Sequence, residues 1–207
     1  MTGFDAGESA WRKAGMDLDR INPVALITGA TTGAGIACAR AIASRAEGGL
    51  ILVGDDAAAL DALADKLGEQ GAAPERVSML AFDVADPDAW KRAHDFIKGQ
   101  YGRLDWAIVN ADATAPEVQS DLVQWPQALA HLEGAVLTLR SVMPLMKLNS
   151  QGGAIVVTAA GHALKPDAGS APFSGKPGLL QMVRAASKEG APDIRVNAVA
   201  ADSADAA

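Results

Sequence analysis

Residues 28 to 36 read Thr-Gly-Ala-Thr-Thr-Gly-Ala-Gly-Ile, with Thr28, Gly29, Gly33 and Gly35 in one short stretch. Glycines at this spacing allow a tight turn and the close approach of a diphosphate to the backbone. A helix starting there aims its free N–H groups and the positive end of its dipole at the same place. The glycines also serve simple packing of a helix on a strand. Further on, Val53-Gly54 runs into Asp55-Asp56. A carboxylate at the end of a second strand accepts hydrogen bonds from ribose hydroxyls and repels a 2′-phosphate. Both aspartates also suit the capping of a helix from Ala57.

Other reactive side chains are sparse. The three histidines, His94, His131 and His162, and the single cysteine, Cys38, are scattered, which offers no metal-ligand spacing. Cys38 forms no internal disulfide and reads as a small apolar residue on a buried helix face. His131 is a possible base, with Asp112 or Glu133 to orient it and Ser174 as a hydroxyl, but no nucleophile elbow or triad spacing joins them.

These residues need elements to position them. Apolar runs predict strands at Val24–Thr28, Leu50–Val53, Val77–Phe82, Ala107–Val109, Ala154–Thr158 and Ile194–Val199. Helical patterns lie between them at Gly35–Ala46, Ala57–Leu67, Pro87–Lys98 (with Asp86 as N-cap), Leu122–Met146 and Gly178–Lys188. The long helix is expected to break or bend near Pro126 and Pro144. Continuous apolar strands imply burial on both faces, and strand-helix alternation implies a doubly wound α/β fold with three layers.

Composition narrows the function. Aromatics are only 4%, so the core rests on Ala, Val, Ile and Leu, which suits helices lying close on a sheet. A net charge of −7 opposes a nucleic-acid surface and a polybasic membrane patch alike. No apolar run reaches the ~20 residues of a membrane span. Residues 1–20 mix acidic and basic groups and lack the apolar core of a signal peptide. The reading is a cytoplasmic protein: a polar arm over 1–21, one domain over 22–200 and a small acidic tail over 201–207.

Several motifs in order carry a family resemblance. Thr28 to Gly35, TGATTGAG, resembles the TGxxxGxG signature of short-chain dehydrogenases/reductases. Asp83-Val84 resembles the family's adenine-contacting pair. Leu104 to Ala111, LDWAIVNA, is similar to the stretch ending in Asn-Asn-Ala-Gly, and Ile194 to Val199, IRVNAV, to a strand near the family's C-terminus. The resemblance spans Asn22 to Ala200. It implies a Rossmann-like sheet and cofactor contacts from Thr28, Gly29, Gly33, Gly35, Asp55, Asp83, Val84, Asn110 and Lys176. Asp55, where NADP-preferring members often carry Arg, favours NAD over NADP. Val109 and Asp112 depart from the Asn-Asn-Ala-Gly pattern, and a carboxylate at 112 implies weak or absent binding. Family members continue past the last strand with further helices and a strand, so the resemblance implies a C-terminally shortened fold.

The family's hydride chemistry uses a Ser, a Tyr, a Lys and an Asn. Ala160 stands at the Ser position, Pro172 or Phe173 at the Tyr position and His131 at the Asn position. Thr158 is near the Ser position, but a one-residue slip along a strand turns a side chain to the other face. Only Lys176 of the four is retained, and Pro177 after it implies that its helix starts near Lys176. Tyr101, the sole tyrosine, follows an earlier helix. The expectation is a catalytically impaired member serving as a non-catalytic partner of an active dehydrogenase. An oxidoreductase with a rearranged site, dependent on NAD or NADP, and a nucleotide-sensing regulator are the alternatives. Apolar residues on the last two helices, Leu180 and Val183 among them, are expected to form a homo- or hetero-oligomeric contact.

Overall fold

The computed structural model describes residues 22–45, 47–110, 125–160 and 176–201. The expected arm over 1–21 and all but the first residue of the expected tail lie outside them. Six strands form one parallel sheet: β1 (Ala25–Thr28), β2 (Leu50–Gly54), β3 (Val77–Ala81), β4 (Trp106–Asn110), β5 (Gly153–Ala160) and β6 (Ile194–Ala201). Their order is β3-β2-β1-β4-β5-β6, a doubly wound arrangement that reverses direction at β1. The helices between them are α1 (Gly33–Arg45), α2 (Ala57–Glu69), α3 (Pro87–Gln100), α4 (Trp125–Lys147) and α5 (Lys176–Gly190).

The central strands are apolar without a break because both faces are covered. Side chains alternate along each strand, so successive residues enter opposite cores. Leu26, Ile51, Val53, Ala107, Val109, Ile155 and Val157 meet α3, α4 and α5. Ala25, Ile27, Leu50, Leu52, Trp106, Ile108, Ala154 and Val156 meet α1 and α2. On α2 the residues Leu60, Leu63 and Leu67 fall on one helical face and all are buried. Each such leucine contributes about 1.5–3 kcal/mol of transfer free energy. Cys38 is buried on α1, as its sequence context implies, and burial pushes its thiol up to about 12.

The caps anchor helices whose loops reach the sheet's C-terminal edge. Asp56 accepts a hydrogen bond from Ala59 N–H at 3.0 Å and caps α2. Asp86 accepts from Asp88 N–H at 2.8 Å and Ala89 N–H at 3.1 Å, with Pro87 at the first position of α3.

Three expectations need correction. The long helix is not broken: Pro126 falls in its first turn, where an N–H is not needed, and α4 continues through Pro144 to Lys147. The strand expected over Ile194–Val199 runs on through Ala200 and Ala201, which pair with Ala159 and Ala160. The apolar residues expected to face a second subunit are mostly the chain's own core. Leu139, Val142, Met143, Leu179 and Val183 are all buried there. Leu132, Leu180 and Met182 are half-buried and Val136 is exposed. α4 packs against both α3 and α5 as well as the sheet, and this consumes more than one stripe of its surface. An arginine at 183 would therefore break the monomer before it tested an interface. No helix among the described residues is long and apolar enough to cross a membrane.

Asp105, fully buried at the entry to β4, joins three strands. Its carboxylate accepts from Val24 N–H at 2.9 Å, from Asn149 Nδ2 at 2.7 Å and from the Arg103 guanidinium. Its backbone donates to Val24 O and accepts from Ala154 N–H, each at 2.9 Å. Removing the carboxylate leaves a buried N–H and a guanidinium without their acceptor. Asp105→Ala is expected to lower unfolding free energy by about 3 kcal/mol, measured by urea denaturation. Burial of Cys38 sets a second expectation. Because the folded thiol lies above its ordinary 9.0, its contribution to stability is present below pH 9.0 and is lost as pH rises toward about 12. At pH 8 the native thiol should resist an aromatic disulfide reagent and react at once in urea.

Candidate nucleotide site

The C-terminal ends of β1, β2 and β4 open onto one cleft of about 270 Å³. Thr28 ends β1, Gly54 ends β2 and Asn110 ends β4, and all three line it. The reversal of strand order lies here, because α1, which follows β1, and α4, which follows β4, cover opposite faces of the sheet. α4 closes the other wall with His131, Gly134, Ala135 and Thr138.

The glycine loop is built by close contacts. Gly29 has φ +57°, a left-handed conformation that glycine adopts without strain, and a β-carbon there would lie 3.2 Å from Asn110 Cβ. At Gly35 a β-carbon would lie 2.1 Å from the Gly29 carbonyl oxygen, so α1 rests directly on the turn. The Thr32 hydroxyl donates to Gly29 O at 2.8 Å and accepts from Gly35 N–H at 3.2 Å. Gly33 differs: a β-carbon there meets nothing within 4 Å. The first turn of α1 therefore faces open space where its dipole favours an anion.

Asn110 ties the edge of the cleft together. Its Nδ2 donates to Thr28 O at 2.7 Å, its backbone N–H donates to Thr28 Oγ1 at 3.2 Å, and its Oδ1 accepts from Thr158 Oγ1 at 3.0 Å. Thr158 thus spends its hydroxyl proton on β4. Asp55 is exposed on the cleft wall, and its neighbour Asp56 takes the capping role that the sequence allowed to both. Asp83 accepts from Ala85 N–H at 2.8 Å, which bends the chain after β3 and brings Val84 to the cleft. Trp90 holds this bend, donating from Nε1 to Val84 O at 2.9 Å and stacking edge-on against Phe82 at 5.1 Å.

Thr28, Gly29, Asp55, Asp83, Val84, Asn110 and His131 are thus brought to one cleft, with Gly33 and Gly35 in the helix start beside it. Lys176 opens α5, which agrees with the helix start that Pro177 implies, though its side chain is outside those described. Ala160 ends β5. Asp112, His162, Pro172, Phe173 and Ser174 lie outside the described residues. Sequence reasoning missed Thr31, Thr32, Phe82, Ala135 and Thr138 as lining. Gly134 was a usable signal: glycine inside a long helix is costly and marks close approach, and a β-carbon there would lie 2.8 Å from Val84 Cγ2. Among the described residues no group of His, Cys, Asp and Glu could hold a metal ion.

Residues 23–206 match the sequence profile of short chain dehydrogenases. The chain belongs to the short-chain dehydrogenase family. It is 30% identical over 187 residues to cis-4-hydroxycyclohexanecarboxylate dehydrogenase of Sinomonas cyclohexanicum, covering 88% of this chain and 73% of that one. The crystal structure of L-sorbose reductase from Gluconobacter frateurii, complexed with NADPH and L-sorbose, superposes with a TM-score of 0.77 at 28% identity. That match covers 89% of this chain and 71% of the reductase. Levodione reductase superposes with a TM-score of 0.75 at 25% identity, over 88% of this chain and 72% of its own.

The short-chain dehydrogenase cofactor class, an adenine dinucleotide, suits these residues. The open first turn at Gly33 would take a diphosphate, Asp55 would offer acceptors to ribose hydroxyls, and the Asp83-Val84 bend would offer a wall to adenine. Two substitutions separate fold from binding. Gly35→Ala is expected to displace α1 and lower the melting temperature. Gly33→Ala is expected to leave circular dichroism and melting unchanged while weakening NAD binding on the order of tenfold, because its methyl enters the space for the diphosphate.

Proposed function

We propose that this short-chain dehydrogenase-fold protein does not carry out the family's hydride transfer alone and acts as a non-catalytic partner of an active dehydrogenase. It keeps a residual dinucleotide site that prefers NAD to NADP. Reducing a carbonyl requires an acid beside the carbonyl oxygen. The observation that carries the reading is the position of Tyr101, the chain's only tyrosine. Its ring packs on Gly49, just before β2, and its hydroxyl shares a 2.7 Å hydrogen bond with Ser78 of β3. Those residues sit at the N-terminal ends of strands whose C-terminal ends form the cleft. Five residues of strand separate Gly49 from Gly54, about 16 Å. No rotamer of Tyr101 reaches the cleft from there. Ala160, at the end of β5, brings no hydroxyl in compensation.

The partner role is supported by the retention of the binding half beside the loss of the acid. Asp55 sets the cofactor preference, because its charge opposes a 2′-phosphate. The test is a turnover assay of the purified protein with NAD(H) and NADP(H) against a panel of alcohols and ketones. The expected result is weak NAD binding by calorimetry, no turnover alone, and a stable complex with a dehydrogenase encoded beside it. Turnover that survives removal of contaminating enzymes would overturn the reading, as would tight NADP binding for the cofactor preference.

A further inference from the structure

We infer that Trp90 is a positioning residue for the cleft: through one peptide plane it holds the carboxylate of Asp83 and so sets which nucleotide base the cleft selects. The inference rests on the reading of the cleft as a nucleotide site with the Asp83-Val84 bend as its base-facing wall. The peptide unit between Val84 and Ala85 is bonded at both ends. Its carbonyl oxygen accepts from Trp90 Nε1 at 2.9 Å, and its N–H donates to Asp83 Oδ1 at 2.8 Å. A trans peptide is planar, with its C=O and N–H pointing opposite ways. Fixing the carbonyl therefore fixes the N–H, and the N–H fixes the carboxylate. Among the described residues no other group donates to the Val84 carbonyl.

The indole is itself firmly placed. Trp90 is 2% exposed, its backbone N–H donates to Asp86 O at 3.2 Å in the first turn of α3, and its ring meets Phe82 edge-on. Asp86 N–H in turn donates to Asp83 O at 2.8 Å. On the other side Val84 rests against α4, where a β-carbon at Gly134 would lie 2.8 Å from its Cγ2. α3 thus fixes the bend by a polar bond and α4 by close contact. Phe82, Asp83 and Val84 line the cleft, whereas Trp90 lies behind them and lines the groove between α3 and α4. Its effect on a ligand must then pass through the bend. An ionised carboxylate only accepts, and it has room for another donor beside Ala85 N–H. Held in one orientation, it favours a base that carries an amino group at its edge over a base that lacks one.

The probes are ADP and purine riboside 5′-diphosphate, which differ only in the exocyclic amino group. Calorimetry would give both affinities for the unmodified chain, Trp90→Phe, Asp83→Ala and the double variant, with circular dichroism to verify the fold. The unmodified chain is expected to prefer ADP about fivefold, the net worth of one partly exposed hydrogen bond. Trp90→Phe keeps a ring against Phe82 but loses the N–H, and is expected to bind the two ligands equally. Asp83→Ala is expected to do the same, and the double variant to match it, because Trp90 acts through Asp83. A merely structural role for Trp90 would weaken both ligands by one factor and keep the preference. If Trp90→Phe melts below the assay temperature, a benzothiophene analogue of tryptophan at position 90, with the same outline and no N–H, carries the same expectation. A preference kept without the indole N–H overturns the inference and leaves the nucleotide reading standing. Equal binding of both ligands by the unmodified chain does the same. Failure of the unmodified chain to bind either ligand overturns both.

Discussion

The central strand β4 is pinned at both ends by a polar side chain, and the rest of the molecule is arranged around those two clamps. At its entry Asp105 accepts from Val24, Arg103 and Asn149. At its exit Asn110 bonds Thr28 and Thr158. Each clamp joins β4 to β1 on one side and to β5 or its approach on the other. Apolar packing alone leaves the register of such strands weakly set, since Ala, Val, Ile and Leu fit many neighbours. Buried hydrogen bonds have few alternatives, because a partner lost inside the sheet is not replaced by water. The register Ala25↔Trp106↔Ala154 follows from the lower clamp, and Thr28↔Val109 with Asn110↔Thr158 from the upper.

The upper clamp also makes the site. Thr28, Gly29 and Asn110 are in contact where β1 and β4 end, and all three line the cleft. The same interaction that joins these strands thus shapes the cleft wall. Tyr101 belongs to the opposite end, where with Ser78 and Gly49 it closes the sheet below β2 and β3. One end carries binding groups and the other a structural phenol.

Much of this was legible in the sequence because it depends on local pattern. Uninterrupted runs such as Leu50-Ile51-Leu52-Val53 announce strands buried on both faces, and the glycines of 28–35 announce the turn. Asp86-Pro87 announces a helix start. What was not legible depends on contacts between distant segments. Arg103 is a local partner of Asp105, but nothing local marks it as a clamp between strands, since Val24 and Asn149 lie 81 and 44 residues away. Pro144 looked like a break or a bend, and the pattern cannot show that packing on three sides carries the helix on past a missing hydrogen bond. Val183 looked able to face outward because the apolar residues of the last two helices exceed what one stripe needs, yet Val183 packs in the core that α4 and α5 share with the sheet.

The partition between the two ends bears on which positions of this fold tolerate change. The groups that hold the sheet are Asp105, Asn110, Thr28 and the two cores, none of which is a proton donor to a substrate. A hydroxyl at the end of β5 is not among them: Ala160 completes the ladder with Ala201 through its backbone. Exchanging Ser for Ala at such a position removes a polar group that needs a partner and leaves no cavity, so its effect on stability is small. A glycine of the loop is different, because at Gly35 a β-carbon would collide with the backbone of Gly29. A hydroxyl at the end of β5 therefore carries little weight in the fold, whereas the glycine loop is built into it. The glycines of TGATTGAG are thus in part a demand of packing at Gly29 and Gly35, while at Gly33 packing demands nothing.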